Sequence, residues 1–322
     1  MNRQEFEQRK SAEWSNLDLR IKGLEGRGPA VEPEKVPGMF RRVCHDLALA
    51  QYRMYGSRIC DRLNSLAIRG YRLIHRSKGG FGEGSIRFVF NTFPNSLRRE
   101  WKLFVVSSLV FWVPFFLMWW SASHEIAWVQ AILGPEMMMQ VEGMYGKDAD
   151  TVEYLRGEHG ANFQMFTHYI KNNVGIDFKL FAGGILYGIG TLFFLVFNGL
   201  YIGAVFGYVD YAGDPEKLLT FVAGHSSFEL LGMIVVGMAG LKIGFALLAP
   251  GRLSRAQSLT QAGRYALPLL IGGALMTGLA AVVEGFWSAQ AISGNVKYGV
   301  GIFFWVLHLV YFLFVGRGYR GA

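Results

Sequence analysis

Two glycine-rich apolar runs stand back to back between Phe178 and Pro250, and they leave the chain few ways to fold. The first reads FKLFAGGILYGIGTLFFLVFNGLYIGAVFGYV and the second LLTFVAGHSSFELLGMIVVGMAGLKIGFALLAP. Each exceeds the roughly 20 apolar residues that cross a bilayer. Each also carries groups that hydrocarbon penalises: Asn198 in the first, and His225, Glu229 and Lys242 in the second. Polar groups at membrane depth face protein or water and mark a working or assembly surface. The pair of runs, with His225 and Glu229, is expected to form the core of an all-α, polytopic membrane protein.

Charge is distributed unevenly around that core. The 322 residues carry a net charge of +8, and 20 of the 32 lysines and arginines fall in residues 1–102. A basic segment ahead of the first span is what the positive-inside rule expects of a cytoplasmic N-terminus. It also suits anionic lipid headgroups. The lipid bilayer is therefore the expected partner of this charge, and nucleic acid is not. The opening MNRQEFEQRKSAEW has no apolar core, so no cleavable signal peptide is read there and the first internal span directs targeting. The only cysteines, Cys44 and Cys60, lie in the basic part, where neither a disulfide nor a zinc site is expected.

In chain order, residues 1–84 read as a cytoplasmic helical region and 85–322 as a transmembrane domain. Residues 1–24 form a charged helix and 29–38, with three prolines, a linker. Phe40, Val43, Leu47, Ala50, Met54, Ile59, Leu63, Leu66 and Ile74 recur near helical spacing, as in a solvated hairpin. KGGFGEG (78–84) lacks the GxGxxG pattern, which argues against nucleotide binding. The mixture of aromatic residues and arginine in 85–101 suits an elbow helix lying in the interface. Spans are expected at about 103–121, 178–206, 218–248, 265–284 and 298–315. Residues 122–177, poor in lysine and arginine, form an extracytoplasmic loop with a methionine-rich stretch suited to adaptable contacts.

Five simple crossings would place Arg252, Arg255, Arg264, Arg317 and Arg320 outside, against the positive-inside rule. A broken, re-entrant hairpin over 218–248 would return both basic segments to the cytoplasm. Gly232, Gly237 and Gly240 offer break points, and this hairpin is preferred to a plain crossing.

Glycines four apart (Gly184 and Gly188; Gly199, Gly203 and Gly207; Gly240 and Gly244) let helix backbones approach closely. They serve either packing within the chain or a homodimer face. His225 and Glu229, at i and i+4, share a helix face. They make half of an HExxH metal motif, so no metal site, cofactor or catalytic residue is read. Asn198, Glu284 and His308 are the candidate partners of the pair. A buried structural pair and a role in ligand or proton handling both remain open.

These pieces resemble a known family. FNTFPNSLRREW, the NG…G run at Asn198, Gly199 and Gly203, the His225/Glu229 pair, and the block from Ala239 to Arg255 are similar to the stage II sporulation protein M family. The likeness covers about residues 85–320. Family members often have glycine after the histidine, where this chain has Ser226. The basic N-terminal hundred residues are typical of members from bacteria that do not sporulate. The resemblance implies an integral protein of the bacterial cytoplasmic membrane linked to the cell envelope. The founding member works beside two peptidoglycan-degrading partners as their membrane anchor. Others are encoded near MoxR-type AAA ATPases, von Willebrand A-domain, RDD-domain membrane and transglutaminase-like proteins. The function expected is a non-enzymatic scaffold. The alternative is a transporter, channel or lipid translocator using His225, Glu229 and Asn198.

Overall fold

The structure is a computed structural model that describes residues 2–25, 35–74, 81–151, 153–154 and 162–317. Linker residues Pro29 and Pro33, Arg156 and Glu158 of the loop, and Arg320 of the tail lie outside the described residues. All regular structure among the described residues is helical. The chain divides into two compact units, Met1–Phe81 and Gly82–Ala322.

The first unit is a three-helix cluster of α1 (Arg3–Leu24), α2 (Val36–Tyr52) and α3 (Ser57–Ile74). The Asn2 side chain caps α1 by accepting from Glu5 N at 2.9 Å, satisfying one of the four orphan donors at a helix start. Phe6, Trp14, Leu17, Ile21, Ile59 and Leu63 are fully enclosed. Trp14 Nε1 donates to Asp46 Oδ2 at 2.9 Å inside this core, so the buried carboxylate is satisfied. The charged first helix is thus the third wall of the core, which the hairpin expectation for Phe40 to Ile74 omitted.

The second unit opens on the elbow, α4 (Phe81–Arg87), a π-helical turn (Phe88–Thr92) and α5 (Phe93–Arg99). Phe93 and Leu97 are buried, and the Phe93 ring fills the space that a Cβ on Gly272 would take. Arg98 Nη1 donates to Phe312 O at 2.9 Å, while the Arg99 guanidinium stacks over Tyr265 at 3.9 Å. The elbow is therefore an integral part of the bundle.

Among the described residues, five helices are long and apolar enough to cross a membrane: α6 (Trp101–Ala122), α9 (Ile189–Ala212), α11 (Ser226–Leu248), α12 (Arg255–Val283, continued by a π turn, Glu284–Ser288) and α13 (Gly294–Phe314). The protein is a multi-pass membrane protein. Between them lie α7 (Ile126–Tyr145), α8 (Asn162–Ala182) and the short α10 (Pro215–Val222). The expected outer loop is thus largely helical. Gly134, at φ +72°, followed by Pro135 kinks α7.

Helix directions follow from the glycine contacts. Gly199, Gly203 and Gly207 lie against Phe111, Phe115 and the Trp119–Ala122 turn in the same order, so α6 and α9 run parallel, away from the elbow. Gly232 meets Gly273 and Thr277, and Ser258 Oγ donates to Ala246 O, so α11 and α12 are antiparallel. Gly301 meets Ala223 and Trp305 Nε1 reaches Ser226, so α13 runs with α11, back to the elbow.

One helix was not read as a span. Phe166 of α8 lies against Gly285, Asp177 against Thr277, and Leu180 against Gly240 and Thr191. Helix α8 therefore runs alongside the spans from the far end toward the elbow. The chain then turns through a 3-10 segment (Gly183–Ile185), with Tyr187 and Gly188 at φ +54° and +84°, and returns as α9. A Cβ on Gly184 would fall 2.2 Å from Gly240 O, so only glycine fits this turn.

This hairpin corrects two expectations. Residues 178–206 are not one span: 178–182 close α8 and α9 begins at Ile189. Nor does 218–248 fold back, because α11 is unbroken from Ser226 to Leu248. Gly232, Gly237 and Gly240 admit neighbouring helices there and break nothing. The fold-back lies earlier, at α8–α9, and it puts Arg252, Arg255, Arg264 and Arg317 at the same end as Arg98 and Arg99.

Candidate functional site

At the far end of the bundle, three helix ends bring charged groups together. Asp214 caps α10 by accepting from Glu216 N at 3.0 Å. The chain then turns through Gly224, whose missing Cβ makes room for the Trp287 ring. This close approach seats His225, the residue preceding α11, beside the π turn that ends α12. Single π turns within α-helices are frequent at functional sites, since the extra residue re-aims side chains.

His225 is 3% exposed. Its Nδ1 lies 2.9 Å from Ser288 Oγ, which fixes the ring. Its Nε2 points between two carboxylates, 3.9 Å from Glu229 Oε2 and 3.9 Å from Glu284 Oε1. Neither separation is a hydrogen bond. One ligand-type atom from each of the three residues lies within 4.8 Å of the others. Glu284 Oε2 is buried without a partner, as are Asn173 Nδ2 and Asp177 Oδ1. Asn173 sits beside Glu284, and its Oδ1 accepts from Asn172 Nδ2 at 3.0 Å. Asp177 Oδ2 accepts from Thr277 Oγ1 at 2.5 Å. Polar groups buried without partners cost about 1–3 kcal/mol each, more when charged, so their concentration here sets this end of the bundle apart. Tyr145, in α7 outside the spans, feels it: burial first, then the Glu284 and Glu229 charges, push its phenol up and keep it neutral.

Residues 107–289 match the family described as Stage II sporulation protein M. The chain belongs to that family. The matched stretch covers more than half of the 322 residues and includes His225, Glu229 and Glu284. Residues 4–76, the three-helix unit, match a family described as Domain of unknown function (DUF8413). No curated protein and no solved structure matches the chain.

In this Stage II sporulation protein M family member, the polar residues singled out in the sequence do not form one core. Lys242 lies 17 residues along α11 from His225, about 25 Å at 1.5 Å per residue. There its Nζ meets Glu100 Oε1 at 2.8 Å, at the elbow. Asn198 donates to Phe194 O at 2.7 Å and lines a cleft of about 550 Å³ between α7, α8 and α9, with Met137, Met144, His168 and Tyr201. His308 Nδ1 donates to Phe304 O at 2.8 Å, and the ring packs on that of Phe228. Only Glu284, of the candidate partners, joins His225 and Glu229. Asn173, Asp177 and Ser288 were missed. Their one sequence signal was polarity inside otherwise apolar stretches.

The glycine rows pack within the chain: Gly184 on Gly240, Gly188 on Gly244, and Gly199, Gly203 and Gly207 on α6.

Proposed function

We propose that this protein is a non-enzymatic scaffold of the bacterial cytoplasmic membrane that gathers cell-envelope partners around a rigid bundle. The observation that carries this reading is the cleft of about 550 Å³ between α7, α8 and α9. Its walls mix Met137, Met144, Phe194 and Phe197 with Gln140, Asn172 and Asn198. Flexible methionines beside a few polar anchors suit a partner's segment whose shape is not matched in advance. Family membership supports peptidoglycan-remodelling proteins or an RDD-domain membrane protein as that partner, and a MoxR-type AAA ATPase as a partner of the cytoplasmic face. Self-association is included in the proposal, and a homodimer would use a face other than the glycine rows, which are occupied within the chain.

The positive-inside rule supports a cytoplasmic N-terminus and elbow, with α7 and α10 on the outer side. The test is site-specific photocrosslinking from positions 137 and 140 in native membranes. An envelope protein captured from both positions and lost in Met144→Asp supports the scaffold. Capture of lipids and chaperones alone overturns it.

A second reading, translocation of a small polar solute, is favoured by His225, Glu229 and Glu284 meeting among the spans. Glu229→Gln leaving folding and phenotype untouched would end it.

A further inference from the structure

The far-end cluster has a chemical problem that its own residues do not solve. Three groups with lone pairs, His225 Nε2 and the carboxylates of Glu229 and Glu284, converge without a hydrogen-bond donor between them. The imidazole cannot bridge them at 3.9 Å. Glu284 is 7% exposed, and the polar side chain beside its carboxylate outside the cluster is the Asn173 amide. It also stands at the C-terminal end of α12, where the helix dipole disfavours negative charge.

We infer that His225, Glu229 and Glu284 hold a divalent first-row metal cation, with Zn²⁺ the best fit. One imidazole and two carboxylates form a nitrogen–oxygen ligand set that zinc accepts, with bonds of about 2.0–2.2 Å. Tetrahedral ligands at such distances stand about 3.4 Å apart, so the ligand atoms, now within 4.8 Å, need close in only modestly. Ser288 supplies the outer support. A metal-bound histidine is oriented by the bond its other ring nitrogen makes, and the Ser288 Oγ contact at 2.9 Å aims Nε2 at the carboxylates. Ser288 O in turn accepts from Lys297 Nζ at 2.8 Å, which anchors the serine to α13. With three protein ligands, one coordination position is left for water or a partner's group.

The outer surface offers an approach. A depression of about 390 Å³, with Asp148 and Asp150 among its walls, reaches Ser288 and Lys297. Lys217, also in its wall, is engaged by the carbonyls of Gly146, Lys147 and Ala149. The inference goes beyond the scaffold reading and does not depend on it.

The test is equilibrium Zn²⁺ loading of the purified full-length protein in detergent, after chelation, with metal counted by mass spectrometry. Co²⁺ substitution follows, because nitrogen–oxygen coordination gives visible absorption bands. The expected result is about one Zn²⁺ per chain for the wild type and for Glu136→Gln, a glutamate outside the cluster. Glu284→Gln and His225→Gln should bind at least tenfold more weakly, and Ser288→Ala about 10–100-fold more weakly. If the ligand variants do not fold, the wild type decides alone: Zn²⁺, but not Mg²⁺, should raise its melting temperature, and chelator should reverse the rise. A wild type that binds no more Zn²⁺ than Glu284→Gln, or that shows neither Co²⁺ bands nor a zinc-specific stabilisation, overturns the site.

Discussion

Gly184 lies so close to Gly240 that a Cβ on the first would stand 2.2 Å from the carbonyl oxygen of the second. The contact joins the α8–α9 turn to the middle of α11, and it fixes how deep that turn reaches. Forcing a methyl group against backbone moves helices, because protein interiors are already close-packed. Gly184→Ala and Gly240→Ala should each cost at least about 1–3 kcal/mol. Thermal unfolding in detergent reads the loss. Gly175→Ala, where a Cβ meets nothing within 4 Å, should be neutral or slightly stabilising.

Lys242 and Glu100 form a part-buried pair at 2.8 Å, their side chains 24% and 15% exposed. Removing Lys242 leaves Glu100 only the longer Arg99 contact at 3.7 Å, so the carboxylate loses its nearer partner. Lys242→Met should destabilise by about 1–3 kcal/mol, less than a fully buried pair. Adding Glu100→Gln should recover part of that loss. A double-mutant cycle on melting free energies measures the coupling.

The direction of the chain at Leu253 separates the two topologies. With α8–α9 as a hairpin that starts and ends at the far side, 253 lies at the elbow end and 216 at the far end. In a Cys44→Ser/Cys60→Ser background, Glu216→Cys should react with an impermeant maleimide on intact cells. Leu253→Cys should react only after permeabilisation. Labelling of 253 from outside would restore five simple crossings.

The N-terminal unit should weaken in acid. Arg69 bridges Asp18 at 2.6 Å and Glu25 at 3.0 Å. Burial opposes ionisation of Asp18, yet hydrogen bonds from Lys22 and Arg69 outweigh it and hold its carboxyl below the ordinary 3.8. A carboxyl depressed by folding stabilises above its unfolded value and loses that contribution as pH falls through the folded one. The protection factors of amides in α1, α2 and α3 of the whole protein, corrected for the intrinsic pH dependence of exchange, should stay flat from neutral pH to about 4 and fall below it. Arg69→Gln should remove most of this acid dependence and lower the opening free energy at neutral pH by under about 1 kcal/mol, given the partial exposure.

Much of this architecture was legible in the residues. The apolar lengths located α6, α13 and the part of α12 from residue 265 on, missing its first ten residues, and the spacing of Phe40 to Ile74 located α2 and α3. Helix α8 was hidden because Lys171, Asn172, Asn173, Asp177 and Lys179 interrupt its apolar run. Hydropathy counts these as water-facing, whereas Asn173 and Asp177 face protein. The glycines of α11 were misread for a related reason. Glycine marks a break or a close approach, and only the neighbouring helix decides which. His225 and Glu229 were visible as a pair through their spacing. Their third member came from another helix end, and no local pattern joins residue 284 to residue 225.

The hydrogen bond from Thr277 to Asp177 spans 100 residues of sequence. At about 5–20 residues per second, a ribosome needs about 5–20 s to supply the threonine after the aspartate has emerged. For the first half of that interval α8 has neither its partner hydroxyl nor the glycine-lined wall of α11. A helix so poorly suited to lipid alone has to wait at the insertion machinery, or at the bilayer surface, until the later spans arrive. Assembly of this bundle therefore runs out of chain order, with an early segment settling only after later spans have arrived.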